Sequence, residues 1–239
     1  MAIKINNSTT GVRVRIDYGS AISSAYSPFT MAGWFKRNTD TTGNEQAMGL
    51  YSAATSFDSG AFLGKVVAAG TWRSEPNAVD ILSAASTPAD ATLDQWQYVA
   101  IVVIGQFTSG YAYWGTGSTL YQTTGIALAS NTSRQHIVLG TYNDNSSDSF
   151  KGEIAHFRVW NAQLSQANLE AEMVSTTAVR GTGSGLLLDW GFVADATDGS
   201  GLGKNGTVSG TVTYTAGPTL GGGSSVMNIA NFYNRLRAA

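Results

Sequence analysis

Residues 150–173 have the sequence FKGEIAHFRVWNAQLSQANLEAEM, and we begin with them because two kinds of secondary structure meet there. The branched and aromatic residues of Gly152–Trp160 predict a strand. Ser165 is a good N-cap for a short helix over 165–175, in which Leu169 and Met173 share one face. The segment therefore predicts a helix that docks on a β-sheet.

Outside this segment, short β-rich runs alternate with clusters of Gly, Ser, Asn and Asp, a pattern typical of an all-β antiparallel sandwich. In WQYVAIVVI (96–104) both alternating faces are apolar. We therefore expect a central strand with one face on the core and the other under a neighbouring loop or partner. The other predicted strands are 2–5, 12–17, 30–36, 46–52, 61–67, 79–83, 110–115, 136–139, 185–190 and 211–215.

The composition excludes several classes of protein. The 239 residues are long enough for one large domain, and charged residues make up only 13% of them. A net charge of −2 without a Lys/Arg run argues against nucleic-acid binding. The absence of cysteine excludes disulfides and zinc–thiolate sites. No apolar stretch is long enough for membrane insertion, and the first residues do not resemble a secretory signal.

The last residues differ in character from the rest. A glycine- and serine-rich stretch, GGGSS (221–225), precedes VMNIANFYNRLRAA (226–239). In the latter, the apolar residues recur every three or four positions, which predicts an amphipathic helix. We predict a domain over 1–216, then a linker and docking tail over 217–239; a frayed terminus is the alternative. The predicted docking residues are Ile229, Phe232, Tyr233 and Leu236.

Three motifs resemble the concanavalin A-like superfamily, in particular its laminin-G-like and pentraxin-like domains. They are SPFTMAGWFKR (27–37), LDQWQYVAIVV (93–103) and the segment 150–173. The resemblance implies a jelly roll of two curved antiparallel sheets. Residues 186–210 resemble a piece that usually opens such domains, which a circular permutation would explain. The superfamily includes lectins, glycan hydrolases, adhesion modules and structural domains, so fold alone does not give function.

The sequence gives only weak indications of a catalytic site. Glycosidases need two carboxyl groups at a set separation, but Glu153 is the only acid in its predicted strand. Glu170 and Glu172 lie two apart on a helix and so point in different directions. We also expect His136 and His156 to be packed or hydrogen-bonded rather than catalytic. We therefore predict that the protein is not an enzyme. A glycoside hydrolase is the third of the three functions considered, after the two given below.

Calcium is the one cofactor that the sequence suggests. The segment 139–152 is rich in Asn and Asp, and it lies where pentraxin-like proteins place their principal metal loop. The resemblance implies one Ca²⁺ held by Asp58, Asn143 and Asp144. Tyr142 stands where the pentraxin loop has its first acid, and the same residues also favour a plain solvated turn.

Aromatic residues outside the family motifs are candidates for contact with a glycan or a partner protein, because sugar rings stack on Trp and Tyr. These loop-side candidates are Tyr51, Trp72, Trp114 and Tyr142.

Together these patterns predict a non-enzymatic recognition or assembly module. We expect a virion component, such as a phage fibre, adhesin or capsid-decorating protein, that contacts a glycan or a neighbouring structural protein. It would form a homo-oligomer or join a larger assembly. The alternative is a secreted, calcium-dependent, lectin-like domain that binds glycans.

Overall fold

The structure is a computed structural model that describes residues 1–5, 13–17, 28–39, 45–51, 61–66, 70–74, 79–84, 87–104, 109–126, 136–141, 149–179 and 185–220. Within these residues one helix, α1, spans Gln166–Met173, with Ser165 as its N-cap. The strands in the described part of the chain are β1 (Ala2–Ile5), β2 (Arg13–Asp17), β3 (Phe29–Arg37), β4 (Glu45–Tyr51), β5 (Ala61–Val66), β6 (Trp72–Ser74), β7 (Val79–Asp80), β8 (Leu82–Ala84), β9 (Thr87–Pro88), β10 (Trp96–Ile104), β11 (Ser109–Gly115), β12 (Tyr121–Ile126), β13 (His136–Leu139), β14 (Gly152–Trp160), β15 (Leu186–Trp190), β16 (Thr207–Ser209) and β17 (Val212–Thr215).

The strands form two large antiparallel sheets, as the sequence predicts. The eight-stranded sheet has the order β12-β11-β10-β3-β14-β1-β17, and β15 also pairs with β14. The seven-stranded sheet has the order β16-β2-β13-β4-β5-β6-β7. A small third sheet pairs β8 with β9. Two facing sheets bury the alternating apolar residues of both between them.

The inner core lies between the two sheets. It is filled by aliphatic residues such as Met31, Val99 and Ile137, which come from strands of both sheets and are fully buried. Aromatic residues of this core, among them Phe35, Trp72, Phe150 and Trp190, also have no exposed surface. Burial of this apolar surface is the main source of stability for the sandwich.

A second apolar layer covers the outer face of the eight-stranded sheet. Leu169 and Met173 of α1 belong to the same buried apolar cluster as Tyr98 and Val102 of β10. The Trp34 indole N–H donates to the carbonyl of Met173, at 2.9 Å. The two-faced burial predicted for β10 is therefore confirmed, since its second face lies under α1 and the adjoining chain.

The described ends of the chain meet at one edge of the eight-stranded sheet. β1 and β17 pair with Ala2 opposite Thr215. A Cβ built on Gly217 would lie 2.7 Å from the Met1 carbonyl oxygen, so the two segments are in close contact. Adjacent ends are what a circular permutation of this fold requires.

Candidate functional site

The outer face of the seven-stranded sheet carries a pocket at the end formed by β2 and β16. In β2, Arg13 and Arg15 flank Val14, which is fully buried in the inner core. Because successive side chains of a strand point to opposite faces, both arginines project away from the core. Both are half-buried.

Strand β16 supplies hydroxyl groups to the same face. Val208 packs against the inner core, so Thr207 and Ser209 project outward. The antiparallel register pairs Thr207 with Arg15 and Ser209 with Arg13. Directly opposed residues have Cβ atoms about 5 Å apart, so each arginine side chain starts beside a hydroxyl residue.

These four residues line a cavity of about 280 Å³. That volume is near the lower end of the ~300–1,000 Å³ range typical of small-ligand pockets. The two guanidinium groups supply N–H donors and positive charge, whereas the hydroxyls both donate and accept. The described lining can therefore bind a small, oxygen-rich, polar group.

The row of residues that contains Arg15 continues across the sheet. Val138 of β13 is paired with Arg15, and Gly49 of β4 is paired with Val138. A Cβ on Gly49 would lie 2.7 Å from the Tyr51 ring, so this ring lies over the glycine. Beyond Arg15, this row of the outer face is therefore occupied by buried apolar and aromatic groups.

A loop between β15 and β16 holds the β16 side of the pocket in place. Asp198 accepts hydrogen bonds from the backbone N–H groups of Asp189, Ser200 and Lys204, at 2.9–3.0 Å, and from the Ser200 hydroxyl at 2.7 Å. Burial of Asp198 opposes ionisation, but these hydrogen bonds outweigh it and lower the pKa of the carboxyl below its ordinary value. The sequence GSGLGKN (199–205) is therefore a loop organised by the Asp198 carboxylate.

Glu153 has a structural environment. Its carboxylate forms an ion pair with Lys36 Nζ at 2.9 Å and accepts hydrogen bonds from the Asn38 amide and the Thr215 hydroxyl. Burial opposes its ionisation, but the hydrogen bonds and the Lys36 charge together lower the pKa. This carboxylate connects β14 to β3 and β17.

The two helix acids also have structural partners. Glu170 accepts hydrogen bonds from the Leu120 backbone N–H and the Gln166 amide. Glu172 is buried and paired with Arg158. These contacts support non-catalytic roles for both.

His156 lies at a bulge in β14 and adopts a left-handed backbone with φ of 47°. Burial, together with the charges of Arg158 and the chain's amino terminus, lowers its pKa to about 4, although a hydrogen bond to the Thr176 backbone acts in the opposite sense. His156 is consequently neutral at pH 7. His136 is buried in β13 beside Tyr51 of β4. The structure thus places both histidines in packed positions.

Two of the predicted contact aromatics lie in buried positions, which corrects their assignment to an accessible loop surface. Trp72 is 0% exposed, packs within the inner core, and donates its indole N–H to Gln97 Oε1 at 2.7 Å. Tyr51 is on the face that carries the pocket, but it too is 0% exposed. A ring without exposed surface cannot stack on a sugar.

Trp114 lies elsewhere. It is half-buried in β11 of the eight-stranded sheet, with its ring centroid 6.3 Å from that of Tyr121, which is 45% exposed. The pocket is on the other sheet, so the structure does not bring Trp114 and the arginines together.

The remaining predicted site residues lie outside the described residues. They are Asp58, Tyr142, Asn143 and Asp144, and the docking residues Ile229, Phe232, Tyr233 and Leu236. The described flanks show where the two metal-loop segments attach. Residue 51 is at the end of β4, whereas Ser149 is bridged to Gln46 near its beginning. Residues 46 and 51 are five positions apart along this extended strand, so the two attachment points are about 17 Å apart at ~3.4 Å per residue.

Within the described ranges, the structure has no group of three His, Asp or Glu residues that could hold a metal ion. Among the same residues, no helix has the length and apolar character needed to cross a membrane.

Sequence reasoning missed the four pocket residues. Arg13 and Arg15 were visible as an alternating Arg-Val-Arg pattern in a predicted strand, and an outward-facing basic pair could have been inferred from it. Thr207 and Ser209 had no comparable signal, because only the sheet order brings them next to β2.

Solved structures with this architecture include three informative neighbours. A heptameric SAP-like pentraxin from Limulus polyphemus aligns with a TM-score of 0.56 and 13% identity, covering 92% of this chain and 96% of its own. A Bacteroides ovatus protein assigned as carbohydrate-binding gives a TM-score of 0.57 and 15% identity, covering 88% of this chain and 62% of its own. The CBM40 of the Ruminococcus gnavus IT-sialidase, bound to α2,3 sialyllactose, gives a TM-score of 0.50 and 15% identity. The alignment covers 71% of this chain and 94% of the CBM40.

No curated protein matches the chain at the level of sequence. A family model described as the concanavalin A-like lectin/glucanases superfamily matches residues 9–170, which is more than half of the chain. The resemblance found in the sequence motifs is therefore confirmed, and the chain belongs to the concanavalin A-like lectin/glucanases superfamily.

Proposed function

We propose that this protein is a non-enzymatic recognition module that binds a glycan on the outer face of its seven-stranded sheet. The observation that carries the proposal is the pocket formed by Arg13, Arg15, Thr207 and Ser209. Guanidinium and hydroxyl groups arranged on one face match the hydroxyl-rich surface of a sugar.

The surroundings of the acidic residues support a binding role rather than hydrolysis. Glu153, Glu170 and Glu172 are each occupied by partners that hold strands or the helix together. A glycosidase instead needs one acid free to protonate the leaving group and a second placed across the scissile bond.

Two neighbours in fold point in the same direction. The Bacteroides ovatus protein is assigned to carbohydrate binding, and the CBM40 is bound to sialyllactose. Both descriptions concern carbohydrate binding, and we extend that role to the present chain.

An array of neutral and acidic glycans, probed with the full chain, tests the proposal. We expect binding to a defined glycan class, together with no release of reducing ends from the bound polysaccharide. Absence of binding to every glycan would contradict the recognition role, and turnover would contradict the non-enzymatic one.

We further propose that the protein is a virion component that assembles through its C-terminal tail. It is supported by the low charge content, the absence of cysteine and the amphipathic pattern of 226–239. Light scattering should show a defined oligomer for the full chain and a monomer for a 1–220 truncation. An unchanged mass on truncation would contradict assembly through the tail.

The calcium site of Asp58, Asn143 and Asp144 is also a proposal, supported by the carboxylate and amide oxygens of these residues. Binding to the folded state alone would raise the melting temperature. We expect Ca²⁺ to raise it in the native chain and not in Asp144→Ala. No rise at saturating Ca²⁺ would contradict the site.

A further inference from the structure

We infer that the pocket between β2 and β16 selects glycans that carry an anionic group, a carboxylate or a sulfate ester, on the sugar ring. This inference rests on the proposed function, because it names the class of glycan that the same site takes. The observation behind it is the placement of two arginines, two residues apart, on one face of one strand.

The pairing of each arginine with a hydroxyl matches the shape of an oxyanion. A guanidinium donates two parallel N–H bonds to a carboxylate or sulfate, and such charge-assisted bonds are about twice as strong as neutral ones. Thr207 lies opposite Arg15, and Ser209 lies opposite Arg13. The hydroxyl of each pair can therefore donate to the same anion or bind an adjacent sugar hydroxyl.

The other described arginines have different surroundings. Arg37 is paired with Glu45, Arg73 with Asp80, and Arg158 with Glu172 and Asp189. The described lining of the pocket contains two arginines and two hydroxyl residues. The two arginines give this lining a positive charge, although the chain as a whole has a net charge of −2. A local cationic site in a weakly acidic protein favours a specific anion over nonspecific polyanion binding.

The test compares matched charged and neutral ligands by titration calorimetry with the full chain. Oligogalacturonate carries carboxylates, and its methyl-esterified form is the same chain without the charges. A κ-carrageenan oligosaccharide carries sulfate, and its desulfated form is the neutral counterpart. We expect an acidic probe to bind at least tenfold more tightly than its neutral counterpart, with an affinity that falls as salt rises. Whichever acidic probe binds identifies the anion.

Variants locate the binding. Arg15→Gln should weaken binding of the acidic probe about tenfold or more, and Arg13→Gln/Arg15→Gln should weaken it further. Arg15→Lys keeps the charge and the aliphatic stem but loses the bidentate geometry, so an intermediate loss is expected even if a Gln variant folds poorly. Arg73→Gln is the matched control, because it removes one positive charge on the same sheet four strands from β2.

The outcomes separate the two proposals. Binding of neutral and acidic probes with equal affinity, or an equal loss in Arg15→Gln and Arg73→Gln, would overturn the anion selectivity and leave glycan recognition standing. Failure of every glycan to bind would overturn both. A tenfold preference for an acidic probe that is lost in Arg15→Gln and kept in Arg73→Gln would establish the inference.

Discussion

Arg158 of β14 and Glu172 of α1 form an ion pair with 3.0 Å between Nη1 and Oε2, and both side chains are almost completely buried. The same guanidinium donates to the backbone carbonyls of Glu172 and Ser175, and its Nε contacts Asp189 at 3.1 Å. One arginine therefore joins the helix, the segment after it and β15 to the centre of the eight-stranded sheet. Arg158, which belongs to the sequence motif of residues 150–173, thus stabilises the fold.

Loss of this ion pair should lower the free energy of unfolding substantially. Glu172→Gln removes one partner and leaves the Arg158 charge buried with reduced compensation, so we expect a loss of about 3 kcal/mol in the free energy of unfolding. Urea denaturation measures it. Arg158→Met/Glu172→Gln is the informative companion, because removing both charges should cost less than the two single changes summed. A loss below about 1 kcal/mol in Glu172→Gln would contradict the structural role.

Trp72 and Trp114 should differ in their effect on stability, although the sequence analysis grouped them as contact residues. Trp72→Phe leaves a cavity in the inner core and removes the hydrogen bond that the indole N–H donates to Gln97 Oε1. We therefore expect the free energy of unfolding to fall by about 2–3 kcal/mol. Trp114→Phe replaces a half-buried indole beside an exposed tyrosine with a smaller ring and should lower the free energy of unfolding by less than about 1 kcal/mol. Thermal and urea unfolding of the pair provide the comparison, and equal losses would contradict the placement of Trp72.

His156 should make the protein less stable in mild acid. Its pKa is about 4 in the folded state against about 6.5 when unfolded, so between these values the unfolded chain binds more protons. Stability therefore falls as the pH is lowered from 6.5 towards 4, by about 2 kcal/mol. His156→Asn keeps a residue that tolerates the positive φ and removes the titrating group. Its unfolding free energy should vary less over this interval, and an unchanged pH dependence would contradict the assignment.

The close approach of β16 to the core depends on Gly206. A Cβ there would lie 2.7 Å from Val14 Cγ1, 2.8 Å from Trp190 Cζ2 and 2.9 Å from Ala196 Cβ. Gly206→Ala should displace β16, lower the free energy of unfolding by about 1–3 kcal/mol and weaken glycan binding. Gly117→Ala is the control, since nothing lies within 4 Å of a Cβ at that position. If the two variants behave alike in unfolding and binding assays, β16 does not need this contact.

Local sequence patterns account for most of the sandwich. The strands β1, β10, β13 and β14 have the bounds that alternation and β-branched residues predict, and α1 begins after the expected cap at Ser165. Four strands were not predicted, namely β6, β9, β12 and β16. β6, β9 and β16 have only two or three residues each, and β12 is a largely exposed edge strand. Their pairing depends on neighbouring strands rather than on their own composition.

The candidate site is harder to predict for the same reason. Arg15 and Thr207 are separated by most of the chain, and only the order of strands in the seven-stranded sheet pairs them. Trp72 was predicted to be accessible because a three-residue strand resembles a loop in sequence, whereas its burial depends on packing against Phe35 and Phe150. Long-range pairing of this kind leaves no local pattern.

A crystal structure of the chain with an oligosaccharide selected from the glycan array tests the central claim most directly. We predict a sugar in the cavity between β2 and β16, with its oxygens within hydrogen-bonding distance of Arg15 and Thr207. A sugar bound instead on the Trp114–Tyr121 side of the other sheet, with the arginine pocket left empty, would contradict the account.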